Sequence, residues 1–184
     1  MGTFKPFSSR RVAATDPGDR IYAIGDVHGR YDLLRELMHK IGAHAEARGG
    51  DRTTYVMLLG DLVDRGPDSW NVLNYVHDLQ SHTPNLLVLA GNHEELMIRA
   101  LDGEPGLLNA WLRIGGDATL RSCGIEPPSG PVDAKTFGDL AAEAVGEHLL
   151  DWMRSLPVTA ESGDYFFCHA GVRPGVPLKK QSRN

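Results

Sequence analysis

Four short clusters of metal-binding and proton-handling side chains stand along this sequence, each directly after an apolar run. Gly25-Asp26-Val27-His28-Gly29 follows "RIYAI", and Gly60-Asp61-Leu62-Val63-Asp64-Arg65-Gly66 follows "TTYVMLL". Gly91-Asn92-His93-Glu94 follows "NLLVLA", and His169-Ala170-Gly171 follows "YFFC". Carboxylate, imidazole and amide oxygens without thiolate suit divalent manganese, iron or zinc, and a bridging carboxylate can hold two such ions ~4 Å apart. Such a pair clamps a phosphate and lowers the pKa of a shared water, so in-line attack on phosphorus is the natural reaction. The glycines are expected to let the backbone turn sharply and to let a phosphate approach.

Each cluster alone has a plainer reading. A Gly-Asp pair after a strand is commonly a turn, and Gly60 to Gly66 could be an Asx-type turn with Arg65 paired to Asp64. Asn92 could cap a helix that starts at His93 and Glu94. His169 could be a half-buried strand end. Four clusters in this order, all at strand ends, are poorly explained as four separate turns.

The elements that must position them follow from periodicity. "RIYAIGD", "TTYVMLLGD", "NLLVLAGN" and "YFFCHAG" read as strands. After the first comes a helix with Leu33, Leu34, Leu37, Met38 and Ile41 at helical spacing, and after the second a helix with Val72, Leu73, Tyr75, Val76 and Leu79 on one side. "HEELMIRAL" begins a third helix. Three strand-then-helix units imply parallel pairing, and the carboxyl ends of parallel strands share one edge, where ligands bind. Residues 102 to 135 read as an irregular stretch with a short helix around Leu107 to Ile114. "TFGDLAAEAVGEHLLDWMRSLP" reads as one longer helix closed by Pro157.

Bulk properties narrow the classes. A chain of 184 residues, 41% hydrophobic, suffices for one packed domain. Residues 1 to 19 are expected to form a flexible arm and 20 to 184 the domain. Nineteen Lys and Arg against 24 Asp and Glu, net charge -5 and both signs scattered, argue against a nucleic-acid partner. No apolar run approaches the ~20 residues that span a bilayer, and no secretory signal opens the sequence, so no membrane partner and a cytoplasmic location are expected. Two cysteines, Cys123 and Cys168, argue against a disulfide framework and fit a reducing compartment.

GDVHG, GDLVDRG, GNHE and HAG resemble the signature blocks of the phosphoprotein phosphatase family of two-metal, calcineurin-like metallophosphoesterases. "GNHEELMIRALDG" and "WLRIGGDATL" resemble its bacterial and bacteriophage lambda branch. The resemblance covers about residues 20 to 177. It implies an α/β fold, a metallophosphoesterase-type β-sandwich flanked by helices.

It also implies roles. Asp26 and His28 would bind a first metal, Asp61 would bridge both, and Asn92 and His169 would bind the second. His93 would be the general acid that protonates the leaving group, oriented by Asp64, and Arg65 would hold phosphate oxygens through a forked pair of hydrogen bonds. Glu94 reads as support behind these residues and Glu95 as a solvated helix face. Gly115 and Gly116 are either a loop over the site or a plain turn. Trp70, Trp111 and Trp152 read as packing anchors, and Cys168 as a small buried strand residue.

Family members continue past the HAG block into segments supplying a second phosphate-binding Arg and another metal-binding His. Neither is in this sequence, so the second metal site is expected to lack one imidazole and the second sheet to be incomplete. An exposed sheet edge would then favour a homo-oligomer. Relatives that hydrolyse diadenosine tetraphosphate usually have Ala at the position of Asp64 and Asp at that of Glu94. The sequence therefore leans toward a manganese-dependent serine/threonine protein phosphatase acting on a phosphorylated protein or peptide. A dinucleoside polyphosphate hydrolase and an inactive phosphate- or partner-binding remnant stay open.

Overall fold

The computed structural model describes residues 12–181. Its first half alternates strand and helix: β1 (Asp19–Ile24), α1 (Tyr31–Arg48), β2 (Thr53–Leu58), α2 (Ser69–His82), β3 (Leu86–Val88) and α3 (Asn92–Leu101). The strands form a parallel sheet in the order β1-β2-β3, with Ile24 opposite Leu58 and Leu58 opposite Val88. That register ends all three strands at one level, so their following loops emerge side by side. β2 is central, and its Met57 and Leu58 are buried.

The helices cover this sheet unevenly. On α2, Val72, Leu73 and Val76 are buried, while Tyr75 and Leu79 pack at the margin of the core. On α1, Leu34 and Ile41 are buried, but Leu33 and Leu37, expected in the same apolar stripe, stay 49% and 40% exposed. The stripe is wider than the surface that packs on it.

The second half departs from the sequence reading in three places. Residues 102 to 135 are more ordered than expected: α4 (Leu107–Trp111) is followed, across a kink at Gly115 (φ 123°), by α5 (Asp117–Ser122). The single long helix is two, α6 (Ala134–Val145) and α7 (Glu147–Ser155), broken at Gly146, whose φ of 100° lies outside any right-handed helix. Gly146 N–H closes α6 on the Ala142 carbonyl, and its own carbonyl accepts from Leu149 and Leu150 to open α7.

The last strand also has a different partner. β5 (Tyr165–Cys168) pairs antiparallel with β4 (Thr159–Ser162), unforeseen in the sequence, as a separate two-stranded sheet. Only Gly163 and Asp164 separate them, and a two-residue loop can join antiparallel strands but not parallel ones. A short 3-10 turn (Leu178–Lys180) follows.

Of the expected N-terminal arm, residues 1–11 lie outside the described residues. The part nearest β1 is tied down: Asp16 N–H donates to Ser162 Oγ and Asp164 N–H to the Ala14 carbonyl. No helix among the described residues is long and apolar enough to cross a membrane.

Candidate metal centre

The loops after β1 and β2 carry four non-glycine residues in the left-handed region: His28 (φ 43°), Asp61 (54°), Asp64 (72°) and Arg65 (67°). Each costs about 1–2 kcal/mol relative to ordinary backbone, so something must hold it. Each of the four N–H groups has an acceptor. His28 N–H donates to the Asp61 carbonyl (2.9 Å), and Asp61 N–H donates to Glu94 Oε2 (2.9 Å). Asp64 N–H reaches Ser69 Oγ (3.0 Å) and Thr119 Oγ1 (2.9 Å), and Arg65 N–H reaches the Gly115 carbonyl (3.1 Å). Left-handed backbone concentrated on residues of such chemistry marks a functional site.

Glu94 is the main clamp. Fully buried, its carboxylate accepts from the N–H groups of Asp61, Leu62, Val63 and Gly91, tying the β2 loop to the start of α3. Burial pushes this carboxyl up, and the backbone N–H groups oppose that shift. Glu95, one residue on, is exposed and faces Arg99 at 3.6 Å.

The side chains converge on Asp61. Its Oδ1 accepts from His93 N–H (3.0 Å), whereas its Oδ2 receives no hydrogen bond among the described residues. Around Oδ2 stand three imidazole nitrogens: His169 Nε2 at 3.3 Å, His28 Nε2 at 3.8 Å and His93 Nε2 at 3.9 Å. Asp26 Oδ2 lies 3.7 Å from His28 Nε2. The ligand atoms of His28, Asp61 and His93 lie within 4.8 Å of one another, and so do those of Asp26, Asp61 and His169.

The Nδ1 contacts leave the Nε2 atoms of His28 and His169 facing the centre. His28 Nδ1 lies 2.8 Å from the Val63 carbonyl and His169 Nδ1 2.9 Å from the Leu59 carbonyl, so in the neutral ring each Nδ1 is the donor. Each Nε2 then presents a lone pair. His169 Nε2 faces Asn92 Oδ1 at 2.9 Å, two acceptors aimed at each other beside a buried carboxylate oxygen. Acceptors gathered without hydrogens between them fit divalent ions, and carbonyl-held Nδ1 atoms are the usual way of aiming ligating imidazoles. The residues present fit a two-metal centre.

Beside this centre lies a buried polar network. His93 Nδ1 is 2.7 Å from Asp64 Oδ2, and neither side chain reaches solvent. Asp64 Oδ1 accepts from Thr119 Oγ1 (2.7 Å), and both its oxygens lie 3.0 Å from Trp111 Nε1–H. Burial raises the Asp64 carboxyl, and the hydrogen bonds from His93, Thr119 and Trp111 pull it back.

Neither Trp111 nor Thr119 was expected here. Trp111 is fully buried, as a packing anchor should be, but it also fixes a carboxylate; Trp70 is 38% exposed and anchors nothing comparable. Trp152 is half-buried and donates its ring N–H to Gln80. Gly115 belongs to the site wall, since a Cβ there would lie 2.6 Å from Arg65 N.

Arg65 bridges two rings. Its guanidinium lies 2.9 Å from His28 Nε2 and 2.9 Å from His93 Nε2. Gly29 (φ 62°) and Gly60 (φ 102°) turn the chain sharply out of its strands, as expected. A Cβ at Gly66 would strike the His28 carbonyl, and one at Gly91 would strike Asp61, so these two glycines let neighbouring loops pack against each other. Cys168 is half-buried, as a strand residue beside His169.

A family model described as calcineurin-like phosphoesterase matches residues 19–183. The chain is 30% identical over 154 residues to a symmetrical bis(5'-nucleosyl)-tetraphosphatase of Methylococcus capsulatus, covering 84% of this chain and 44% of that protein. It is 32% identical over 97 residues to serine/threonine-protein phosphatase 2 of Escherichia coli, covering 53% of this chain and 38% of that one. Among solved structures, a putative diadenosine tetraphosphatase superposes with a TM-score of 0.55 at 19% identity, over 93% of this chain and 59% of the other. The chain spans less than half the length of these curated relatives.

Proposed function

Because the chain belongs to the calcineurin-like phosphoesterase family, we propose that its strand-end centre hydrolyses phosphate esters or anhydrides with a metal-activated water. Asp26, His28 and Asp61 would hold one divalent ion, and Asp61, Asn92 and His169 would hold the other. The observation that carries this reading is Asp61 Oδ2, which receives no hydrogen bond among the described residues and is ringed by three imidazole nitrogens. Bound manganese, iron or zinc would activate water near neutral pH and neutralise phosphate charge.

The chain's own residues supply the rest. His93, oriented by Asp64, delivers the proton that the leaving oxygen takes up. Arg65 turns its forked donors from the two rings to the phosphate oxygens.

The favoured substrate is a dinucleoside polyphosphate. The similarity to symmetrical tetraphosphatases extends over 84% of this chain, against 53% for the protein phosphatase. This reverses the lean drawn from Asp64 and Glu94. A specific observation still supports the second reading, a phosphoprotein: the 2.7 Å His93–Asp64 pair is most useful where the leaving group is a poor one, such as a serine alkoxide. The deciding experiment compares kcat/KM for diadenosine tetraphosphate with that for a phosphoserine peptide on the same manganese-loaded preparation. A higher value for the tetraphosphate supports the first reading; a higher value for the peptide replaces it with the second.

A further inference from the structure

A cleft of about 600 Å³ opens between the first half of α1 and the loop before α2, lined by Tyr31, Asp32, Arg35, Glu36 and His39 on one side and Pro67 and Asp68 on the other. Its position is fixed by the metal-centre loops. Tyr31 is three residues from His28 and Pro67 two from Arg65, so their Cα atoms lie within roughly 11 Å and 7 Å of those residues' Cα atoms. Asp68 N–H donates to the Gly29 carbonyl at 3.0 Å, joining the cleft wall to the loop that carries His28.

The chemistry of the lining is selective. The Tyr31 ring meets the Tyr75 ring edge-on at 5.6 Å, and the Arg35 guanidinium lies 5.5 Å from the centroid of Tyr31. Arg35 has no carboxylate partner among the described residues. The carboxylates are engaged locally: Asp32 with Arg30, Glu36 with Lys40, and Asp68 with the Asn71 amide. Each keeps lone pairs to spare.

Asp32, Glu36 and Asp68 are offset by Arg30, Lys40 and Arg35, so the cleft has no surplus of positive charge to draw a second phosphate. A flat, uncharged ring system bearing hydroxyl and amino donors suits it: the ring against Tyr31 and Arg35, the donors to the carboxylates. A nucleoside has that chemistry. We propose that this cleft is the subsite for one nucleoside of a dinucleoside polyphosphate whose phosphates lie at the metal centre, an inference that rests on the substrate reading above.

The test uses the full chain and adenosine, and does not require turnover. In saturation-transfer NMR, adenine protons receive transfer from the wild-type chain and lose it with Arg35→Ala, an exposed position, and with Tyr31→Ala. No transfer to adenosine, or transfer unchanged in both variants, overturns the subsite. In parallel, Arg35→Ala lowers kcat/KM for diadenosine tetraphosphate roughly tenfold relative to that for p-nitrophenyl phosphate; an unchanged ratio overturns the subsite while leaving the substrate reading intact. Adenosine transfer that depends on Arg35, in a chain that does not turn over the tetraphosphate, supports the nucleoside site and removes the substrate reading.

Discussion

His93 Nδ1 and Asp64 Oδ2 lie 2.7 Å apart, with both side chains closed off from solvent. An imidazole so held cannot rotate away from its carboxylate, and its other nitrogen, Nε2, is left facing the metal centre at 3.9 Å from Asp61 Oδ2. The pair is held in turn by a tryptophan and a threonine from the α4–α5 region. This single contact therefore links the β2 loop, α3 and the α4–α5 segment.

Replacing His93 with Asn is expected to reduce turnover on the order of 10²- to 10⁴-fold while leaving metal content unchanged. The loss is larger for an alkyl phosphate than for p-nitrophenyl phosphate, whose leaving group needs less help from an acid. Equal losses on both substrates would argue against proton delivery by this ring.

Trp111→Phe keeps the buried ring and removes the N–H that Asp64 accepts. A lost hydrogen bond to a buried carboxylate is worth about 1.5–3 kcal/mol, so the variant folds with a lowered melting temperature. Turnover falls, with KM little changed, because Asp64 is then held by fewer donors. A variant matching the parent in both melting and turnover would show that the indole only fills space.

For Glu94→Gln the expected damage is to stability. One oxygen becomes an NH2 group pointed at backbone N–H donors, which leaves them unpaired in a buried site. A cost of about 3 kcal/mol would lower the melting temperature by roughly 6–12 °C in a chain of this size. Thermal unfolding of the two chains side by side checks this.

Arg65→Ala should move two quantities in opposite directions. Its guanidinium occupies the lone pairs of His28 and His93 that face the centre, so its removal tightens manganese binding, measured by calorimetric titration. The same change raises KM for a phosphate ester. Weaker manganese binding in the variant would contradict the competition.

The strand-end clusters were legible because short apolar runs ending in Gly-Asp or Gly-Asn carry both the strand and its exit in adjacent residues. The α4–α5 contribution was not legible. Trp111 and Thr119 stand 47 and 55 residues from Asp64, and no local pattern announces a contact at that separation. Gly146 divides α6 from α7 within a helical periodicity that runs on unbroken, so only its backbone angle reveals the break. Gly163 and Asp164 were readable as a hairpin turn in retrospect, but the strand before them, "TAES", has too little apolar character to stand out.

Asp61, common to both ligand groups, would serve two ions in one centre. Metal content per chain after manganese loading, read with the paramagnetic resonance spectrum of the bound ions, tests it most directly. The account predicts two manganese ions per chain with a spin-coupled spectrum, and loss of the coupling in Asp61→Asn. A single uncoupled ion, or none, would contradict it.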